Sequence, residues 1–375
     1  MKVLHVTPSY LPAFVYGGPI RSTHQMNLGL AARGITVRVL TTDANGPDRL
    51  AESGATVTYA PGLTVEYMPR TFMPDVSLGL LGRLHRAIAW ADVVHVTAVY
   101  SFSTIPTLAW SALLGKPLFW SPRGALQEWE ASPKRGLKAV WDEICKVVAG
   151  RNTTILAASE REAEAARIRF PPMQVRMVEN GVPIPEVVTH YASDRFRLLF
   201  LGRLHPIKGI ENLLAALALL RSEFGDKLVL RLAGPSDPIY LRSLEDLVQR
   251  LGLTTVVDFL GPVAEAKKGE LFTDADVLVL PSFSENFGLV VAEALAHAVP
   301  VIVSQHAPWA RVEEKRCGRW VANDAASLAQ ALREIHAADR VAMGERGREW
   351  MRTDFSWEQK TAQLMQYYAE AQARA

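Results

Sequence analysis

Phe196-Arg197-Leu198-Leu199-Phe200-Leu201-Gly202-Arg203-Leu204-His205-Pro206-Ile207-Lys208-Gly209 runs straight into Ile210–Leu220, IENLLAALALL. The first six residues, five of them apolar, read as a buried strand. Two glycines then bracket a loop that carries two cations, and the leucine-rich run has the periodicity of a helix. Strand, glycine loop and helix in that order are the repeating unit of a parallel sheet covered on both faces. In such sheets ligands bind beyond the carboxyl ends of the strands, so the loops at those ends carry the function.

The same alternation extends in both directions. Lys2–Val6, Thr36–Leu40, Val93–Val96 and Leu118–Trp120 read as strands in the first half. Phe196–Leu201, Lys227–Ala233, Val256–Leu260, Val277–Leu280 and Val299–Val303 read as strands in the second. Each half opens with an apolar strand running into a glycine-containing loop, and each later has Ala-Asp-Val entering a buried strand (Ala91–Val93, Ala275–Val277). The fold class is therefore α/β, with two Rossmann-like, doubly wound parallel-sheet domains facing a cleft. Gly181, Pro183 and Pro185 interrupt periodicity at the junction. The expected domains are residues 1–185 and 190–355, followed by a helix that begins at Ser356, where the hydroxyl can cap the backbone and Gln359 can reach back.

Composition agrees with two soluble domains. The 375 residues are 49% apolar and 21% charged, with 41 Lys+Arg against 39 Asp+Glu, and neither half departs far from neutrality. Disulfide-rich, collagenous and disordered classes are excluded, and the balance argues against a nucleic-acid partner. Cys145 and Cys317 have no metal-ligand spacing and fit a reducing, cytoplasmic setting. Pro8 and Pro12 break the apolar start, so no cleaved signal peptide is expected. The uncharged stretch Val93–Gly115 is long enough to span a membrane. Its His95, Pro106, three serines and three threonines instead divide it into a strand, a polar corner and a short helix.

Four strand-end loops are candidates for chemistry. Gly202–Gly209 places Arg203 and Lys208 where a diphosphate could sit, the alternative being two solvated bases. Ser282–Glu293 carries Glu285 ahead of a helix and Glu293 within it. At about 100° per residue, eight positions leave the two carboxylates about 80° apart on a helical projection. Gly288 would let an anion approach the amides of Phe287 to Val290, and Glu293, among alanines and leucine, needs a partner. Tyr16-Gly17-Gly18-Pro19 either admits a substrate or forms a turn. In Ser121-Pro122-Arg123-Gly124, Arg123 either binds an acidic group or pairs with Glu128 or Glu130. His95 reads first as a buried, satisfied histidine.

Two further signals have structural readings. Asp274-Ala275-Asp276 spells a metal-binding pattern but precedes its strand, which puts it at the edge away from the ligand and argues against a metal. Pro133–Lys138 followed by Ala139–Gly150 is a basic, amphipathic stretch suited to anionic lipid or simply to solvent. No G-x-G-x-x-G follows a strand, which counts against a dinucleotide oxidoreductase.

Together, GRLHPIKG and SFSENFGLVVAE closely resemble the motifs of the retaining, nucleotide-sugar-dependent glycosyltransferases of the GT-B fold, the "group 1" family. The likeness extends to the Gly17-Gly18-Pro19 loop, Asn180-Gly181-Val182, Leu232–Pro235, Val256–Val263 and the helix opening at Phe355–Glu358, which in that family packs back on the first domain. The resemblance implies an acceptor-side first domain and a donor-binding second one. It places the donor diphosphate on Arg203 and Lys208, the donor sugar on Glu285 and the ribose on Glu293. Gly17, Gly18, Gly202, Asn286, Phe287, Gly288 and Leu289 fall in the donor-binding segments, with Glu285, Arg203 and Lys208 as the catalytic set. Arg123 stands in or beside the place where many relatives have a histidine, and with His95 it is a candidate for the sugar or acceptor side.

By the same resemblance the chain transfers a sugar, with retention, to a hydroxyl of a glycan or lipid-linked acceptor in bacterial-type surface polysaccharide synthesis. No cofactor or metal is implied, the nucleotide-diphosphate sugar being a co-substrate. The expected location is cytoplasmic, with peripheral membrane contact through the first domain. The departing phosphate oxygen takes the acceptor proton in front-face retention, so no nucleophilic carboxylate is expected. Competing readings are a GT-B-like sugar-nucleotide epimerase, which would turn over donor without acceptor, and a catalytically silent binding protein, against which both bases and both glutamates argue.

Overall fold

The fully buried runs Val93–Thr97 and Phe196–Leu201 are strands covered on both faces, and the computed structural model puts them at the centres of two separate sheets. It describes residues 1–71, 76–126, 135–191 and 193–374. The chain divides into one unit of Met1–Gly181 with Trp357–Ala375 and a second of Val182–Ser356.

Unit 1 contains strands β1 (Lys2–Val6), β2 (Thr36–Thr42), β3 (Ala44–Asn45), β4 (Asp48–Arg49), β5 (Thr56–Ala60), β6 (Leu63–Met68), β7 (Val93–Thr97), β8 (Leu118–Ser121), β9 (Thr153–Ala157) and β10 (Gln174–Met177). Its helices are α1 (Gly18–Ala32), α2 (Leu78–Trp90), α3 (Thr104–Leu113), α4 (Arg135–Val148) and α5 (Glu160–Arg169). The main sheet has the order β10-β9-β8-β7-β1-β2-β6-β5, so the strand order reverses between β1 and β7. It departs from the expected all-parallel sheet at one edge, where β5 runs antiparallel to β6. The cause is local: only Pro61 and Gly62 separate the two strands, and so short a connection cannot make a parallel crossover.

Unit 2 contains β11 (Phe196–Leu201), β12 (Leu228–Ala233), β13 (Val257–Gly261), β14 (Val277–Leu280), β15 (Val301–Ser304) and β16 (Gly318–Val321). Between and after them lie α6 (Ile210–Phe224), α7 (Pro238–Arg250), α8 (Lys268–Thr273), α9 (Leu289–Ala296), α10 (Arg311–Glu314), α11 (Ala325–Ala337) and α12 (Arg340–Trp350). All pairings are parallel, in the order β13-β12-β11-β14-β15-β16. Here the order reverses between β11 and β14, so the loops after these two strands flank the switch point where such sheets bind ligands.

Helix α13 (Trp357–Gln372) starts one residue later than Ser356 and returns to unit 1. Leu364 and Tyr368 are completely buried in the core built by Val3, Leu30, Val37 and Phe119. Gly29 on α1 makes this packing possible, since a Cβ there would lie 2.5 Å from Thr361 Cγ2. Lys360 donates to Glu179 at 2.7 Å and fastens the same helix.

At the amino edge of the second sheet, Arg197 holds Asp274 at 2.6 Å and Asp276 at 3.1 Å, and Arg231 also pairs with Asp274. The Asp-Ala-Asp carboxylates are thus consumed by arginines on β11 and β12. Cys145 and Cys317 are buried free thiols.

Candidate functional site

Glycine geometry builds the site in unit 2. Gly209 has φ +62°, and a Cβ there would fall 2.1 Å from the Pro281 carbonyl oxygen. Gly234, at φ +142°, would collide at 1.9 Å with the carbonyl oxygen of Gly202. Only glycines let the ends of β11, β12 and β14 approach so closely. The Phe283 amide then donates to the Ile207 carbonyl at 2.7 Å, joining the loops across the switch point. Asn323 Nδ2 donates to the Pro281 carbonyl at 2.5 Å and holds the second loop from the side.

This closeness brings Lys208 and Glu285 together across 77 residues of sequence. Lys208 closes a short 3-10 turn whose Ile207 amide donates to His205 Nδ1 at 3.2 Å. Its Nζ pairs with Glu285 Oε1, which also accepts from the Ser282 hydroxyl at 3.1 Å. Both side chains are largely buried, 19% and 13% exposed, so the pair sits in a sheltered medium. Three residues on, Gly288 at φ +75° opens α9 without any side-chain cap. The first amides of that helix have no side-chain partner at its start, and uncapped helix starts are where anions bind.

The other expected residues take different neighbours. Arg203 is exposed and lines a groove of about 500 Å³ with Leu204, Pro206, Asp237, Ile239 and Tyr240. Glu293 lies in the second turn of α9 and meets not Glu285 but Lys268, whose Nζ reaches its two oxygens at 3.2 and 3.3 Å. Lys268 is the partner that the apolar surroundings of Glu293 demanded, and no motif in the sequence pointed to it. Asn286 and Leu289 are half-buried. The Phe287 ring is turned away from the site: it packs on Trp309 at 5.1 Å and on Phe355 at 6.1 Å, and its carbonyl accepts from Trp309 Nε1. Phe287 therefore contributes backbone to the site and its ring to the core.

In unit 1, Gly17 at φ +77° precedes α1, and a Cβ at Gly17 or Gly18 would meet nothing within 4 Å. The loop is open, and the exposed Phe14, Val15 and Tyr16 flank it. Arg123 has φ +53° and is followed by Gly124 at φ +90°. The Glu162 carboxylate fixes this turn by accepting from the Gly124 amide and, at 2.8 Å, from the Ala158 amide. The Arg123 guanidinium donates to Asn180 Oδ1, while its Nε is buried without a partner. Burial lowers its pKa, opposed by the charge of Glu162. Glu128 and Glu130 lie outside the described residues.

His95 is fully buried with a partner on each ring nitrogen. Its Nδ1 meets the Tyr368 hydroxyl at 2.6 Å and its Nε2 the Ser121 hydroxyl at 2.7 Å, with the ring stacked 4.5 Å from His5. His5 in turn meets Asn27 at 3.0 Å and Thr97 at 2.7 Å. Burial, with the neighbouring His5, drives His95 well below the usual histidine range, and burial brings His5 to about 4. Both rings are neutral at pH 7. Among the described residues, no cluster of three or more His, Cys, Asp or Glu side chains is arranged to hold a metal, and no helix is long and apolar enough to cross a membrane.

Two Rossmann-like units, one with a lysine, a glutamate and an uncapped helix start at its switch point, place the chain in the doubly wound α/β class. The sequence patterns of known families narrow it: "Glycosyl transferases group 1" matches residues 188–350, and "Glycosyl transferase 4-like domain" matches residues 17–181. The chain belongs to the group 1 glycosyltransferases. A D-inositol 3-phosphate glycosyltransferase of Stackebrandtia nassauensis is 30% identical over 73% of this chain and 68% of its own. In two Corynebacterium enzymes of the same name the match covers 52% and 53% of this chain but 42% and 48% of theirs. Among solved structures, sucrose-phosphate synthase from Thermosynechococcus elongatus superposes with a TM-score of 0.75 over 100% of both chains, at 23% identity. Anabaena HepE in complex with UDP gives 0.76 over 99% of this chain and 100% of that one, at 18% identity. These two likenesses establish the two-domain GT-B fold.

Proposed function

We propose that the protein is a retaining glycosyltransferase that moves a sugar from a nucleotide-diphosphate sugar to a hydroxyl of a glycan or lipid-linked acceptor, without a metal. The observation that carries this reading is the Lys208–Glu285–Ser282 cluster beside the uncapped start of α9. Breaking the sugar–diphosphate bond builds negative charge on the leaving phosphate, and the lysine and the helix amides offset that charge in a sheltered site. Arg203 meets the diphosphate from the groove side. Glu285 accepts from donor-sugar hydroxyls once Lys208 turns to phosphate, and Glu293, held by Lys268, accepts from ribose hydroxyls. With the phosphate oxygen taking the acceptor proton, every charge in the step has a partner and no metal is needed. HepE has been solved with UDP-glucose, which makes that compound the first donor to try. Surface-polysaccharide synthesis at the cytoplasmic face of a membrane is the setting we assign.

A thermal-shift screen of nucleotide sugars tests the donor, since binding stabilises by the logarithm of concentration over Kd. Turnover with an accepting glycan, followed by NMR of the new anomeric centre, tests the rest. Donor consumed and converted with no acceptor present would mean an epimerase. Donor bound but never consumed with any hydroxyl acceptor would mean a silent binding protein, and inverted product would remove the retaining assignment.

A further inference from the structure

The loop that carries Glu285 and leads into α9 is held at both of its ends by residues at and just beyond the end of β15. At the near end the Ser304 hydroxyl donates to the Ser282 carbonyl at 2.5 Å. At the far end Trp309 Nε1 donates to the Phe287 carbonyl. Ser304 is completely buried and Trp309 is only 2% exposed. A buried hydroxyl or indole N–H has to find an acceptor, and each of these two takes a carbonyl of the same loop.

Each clamp acts on a different part of the site. The Phe287–Gly288 peptide is trans and planar, so with its carbonyl turned into the core toward Trp309 the Gly288 N–H leaves in the opposite direction. Gly288 then opens α9, and the indole thereby sets the direction of the amide at the uncapped helix start. A carbonyl that accepts a hydrogen bond also polarises its peptide, which strengthens that N–H as a donor. Ser304 acts on the carboxylate instead: Ser282, whose carbonyl it holds, gives its own hydroxyl to Glu285 Oε1 at 3.1 Å. The far clamp is rigid, since the Trp309 ring packs on Phe287 at 5.1 Å, Phe355 at 5.5 Å and Trp350 at 5.8 Å. Its amide donates to the Ala307 carbonyl at 2.8 Å, which Trp320 Nε1 also holds at 3.0 Å.

We infer that Ser304 and Trp309 are positioning residues for the diphosphate site, acting through Ser282 and through the Phe287–Gly288 peptide. The inference rests on the donor reading above and names what keeps that site in shape. Calorimetric titration with UDP and with UMP tests it, because the ratio of the two affinities isolates the grip on the second phosphate and cancels a general loss of stability. Trp309→Phe keeps a ring in the core and removes the N–H, and should cut the preference for UDP roughly 5–10-fold. Ser304→Ala removes a single oxygen and should cut it roughly 3–10-fold. Ser304→Thr, which returns the hydroxyl, should restore it. Trp350→Phe is the control, since Trp350 belongs to the same aromatic cluster but its Nε1 donates to Asp354 at 3.0 Å. It should lower Tm and leave the preference within about twofold of the native value.

An unchanged preference in Ser304→Ala, or in a folded Trp309→Phe, would overturn the proposal. So would an equal drop in Trp350→Phe, or a Ser304→Thr variant as impaired as Ser304→Ala. If the native protein itself binds UDP no more tightly than UMP, the donor reading fails along with the clamp. A native preference that survives every substitution sinks the clamp alone.

Discussion

Replacing Lys208 by Met removes one charge and keeps the length of the side chain, and its consequences can be divided between the empty and the occupied site. In the empty protein the lysine neutralises Glu285, and both side chains are mostly shielded. Exposed ion pairs contribute at most about 1 kcal/mol, whereas breaking a fully buried pair costs about 3–5 kcal/mol. The Ser282 hydroxyl still satisfies one Glu285 oxygen, so a loss of about 2 kcal/mol is expected. For a unit of this size that is a fall in Tm of roughly 4–8 °C. In the occupied site the same lysine meets the diphosphate, and losing a charge-assisted hydrogen bond there costs about 2–3 kcal/mol, or roughly 30–150-fold in kcat/KM.

The second variant, Lys208→Met/Glu285→Gln, separates the two effects. With no carboxylate left unpaired, its melting temperature should recover most of the loss, while donor turnover stays low. Scanning calorimetry and steady-state rates with the donor found by thermal shift provide the measurements. If the double variant were as unstable as the sum of the singles, or if Lys208→Met kept kcat/KM within about threefold, the pair would not be the hinge of the site.

Glu285→Gln should chiefly lower kcat and Glu293→Gln chiefly raise donor KM, because the first grips the sugar in the transition state and the second grips ribose throughout; the opposite pattern in steady-state kinetics would reverse the roles. Activity should persist in excess chelator, and restoration by Mn²⁺ or Mg²⁺ after complete loss would contradict the metal-free step. Burial brings His5 and His24 down to about 4, so the unfolded chain binds more protons than the folded one below pH 6.5. Stability of unit 1 should therefore fall as pH drops from 6.5 towards 4, by about 2 kcal/mol per histidine at pH 5. Hydrogen exchange on Lys2–Val6 and Val93–Thr97 reads that loss, and equal protection at pH 7 and pH 5 would refute it.

Residue patterns disclosed the alternation of strands and helices because burial on both faces leaves uninterrupted apolar runs. They also placed Asp274 and Asp276 correctly, since an Asp before a strand lies at the amino edge whatever its partner. Partners were another matter. Lys208 and Glu285 are adjacent only because Gly209 and Gly234 let three strand ends converge, and that depends on register rather than on local sequence. Lys268 reaches Glu293 from a separate helix, and Asn180 reaches Arg123 from 57 residues away. Phe287 sits inside a site motif, yet its ring belongs to the core, because a motif fixes where the backbone goes and the side chain follows whichever cavity is nearest. The antiparallel β5 escaped the sequence reading, although Pro61-Gly62 leaves too short a connection for any crossover.

Helix α13 has a bearing on how the polypeptide is made. Leu364 and Tyr368 complete the interior of unit 1, and Tyr368 closes the hydrogen bonding of His95 on its central strand. Yet the 175 residues of unit 2 are translated between Gly181 and Trp357. At a synthesis rate of about 5–20 residues per second, the ribosome leaves the first 181 residues without that helix for roughly 10–35 s. Unit 2 carries its whole interior in one contiguous stretch and can settle as soon as it emerges. The nascent first unit spends that interval with an unfilled groove beside α1, and during it chaperones have an apolar surface to hold.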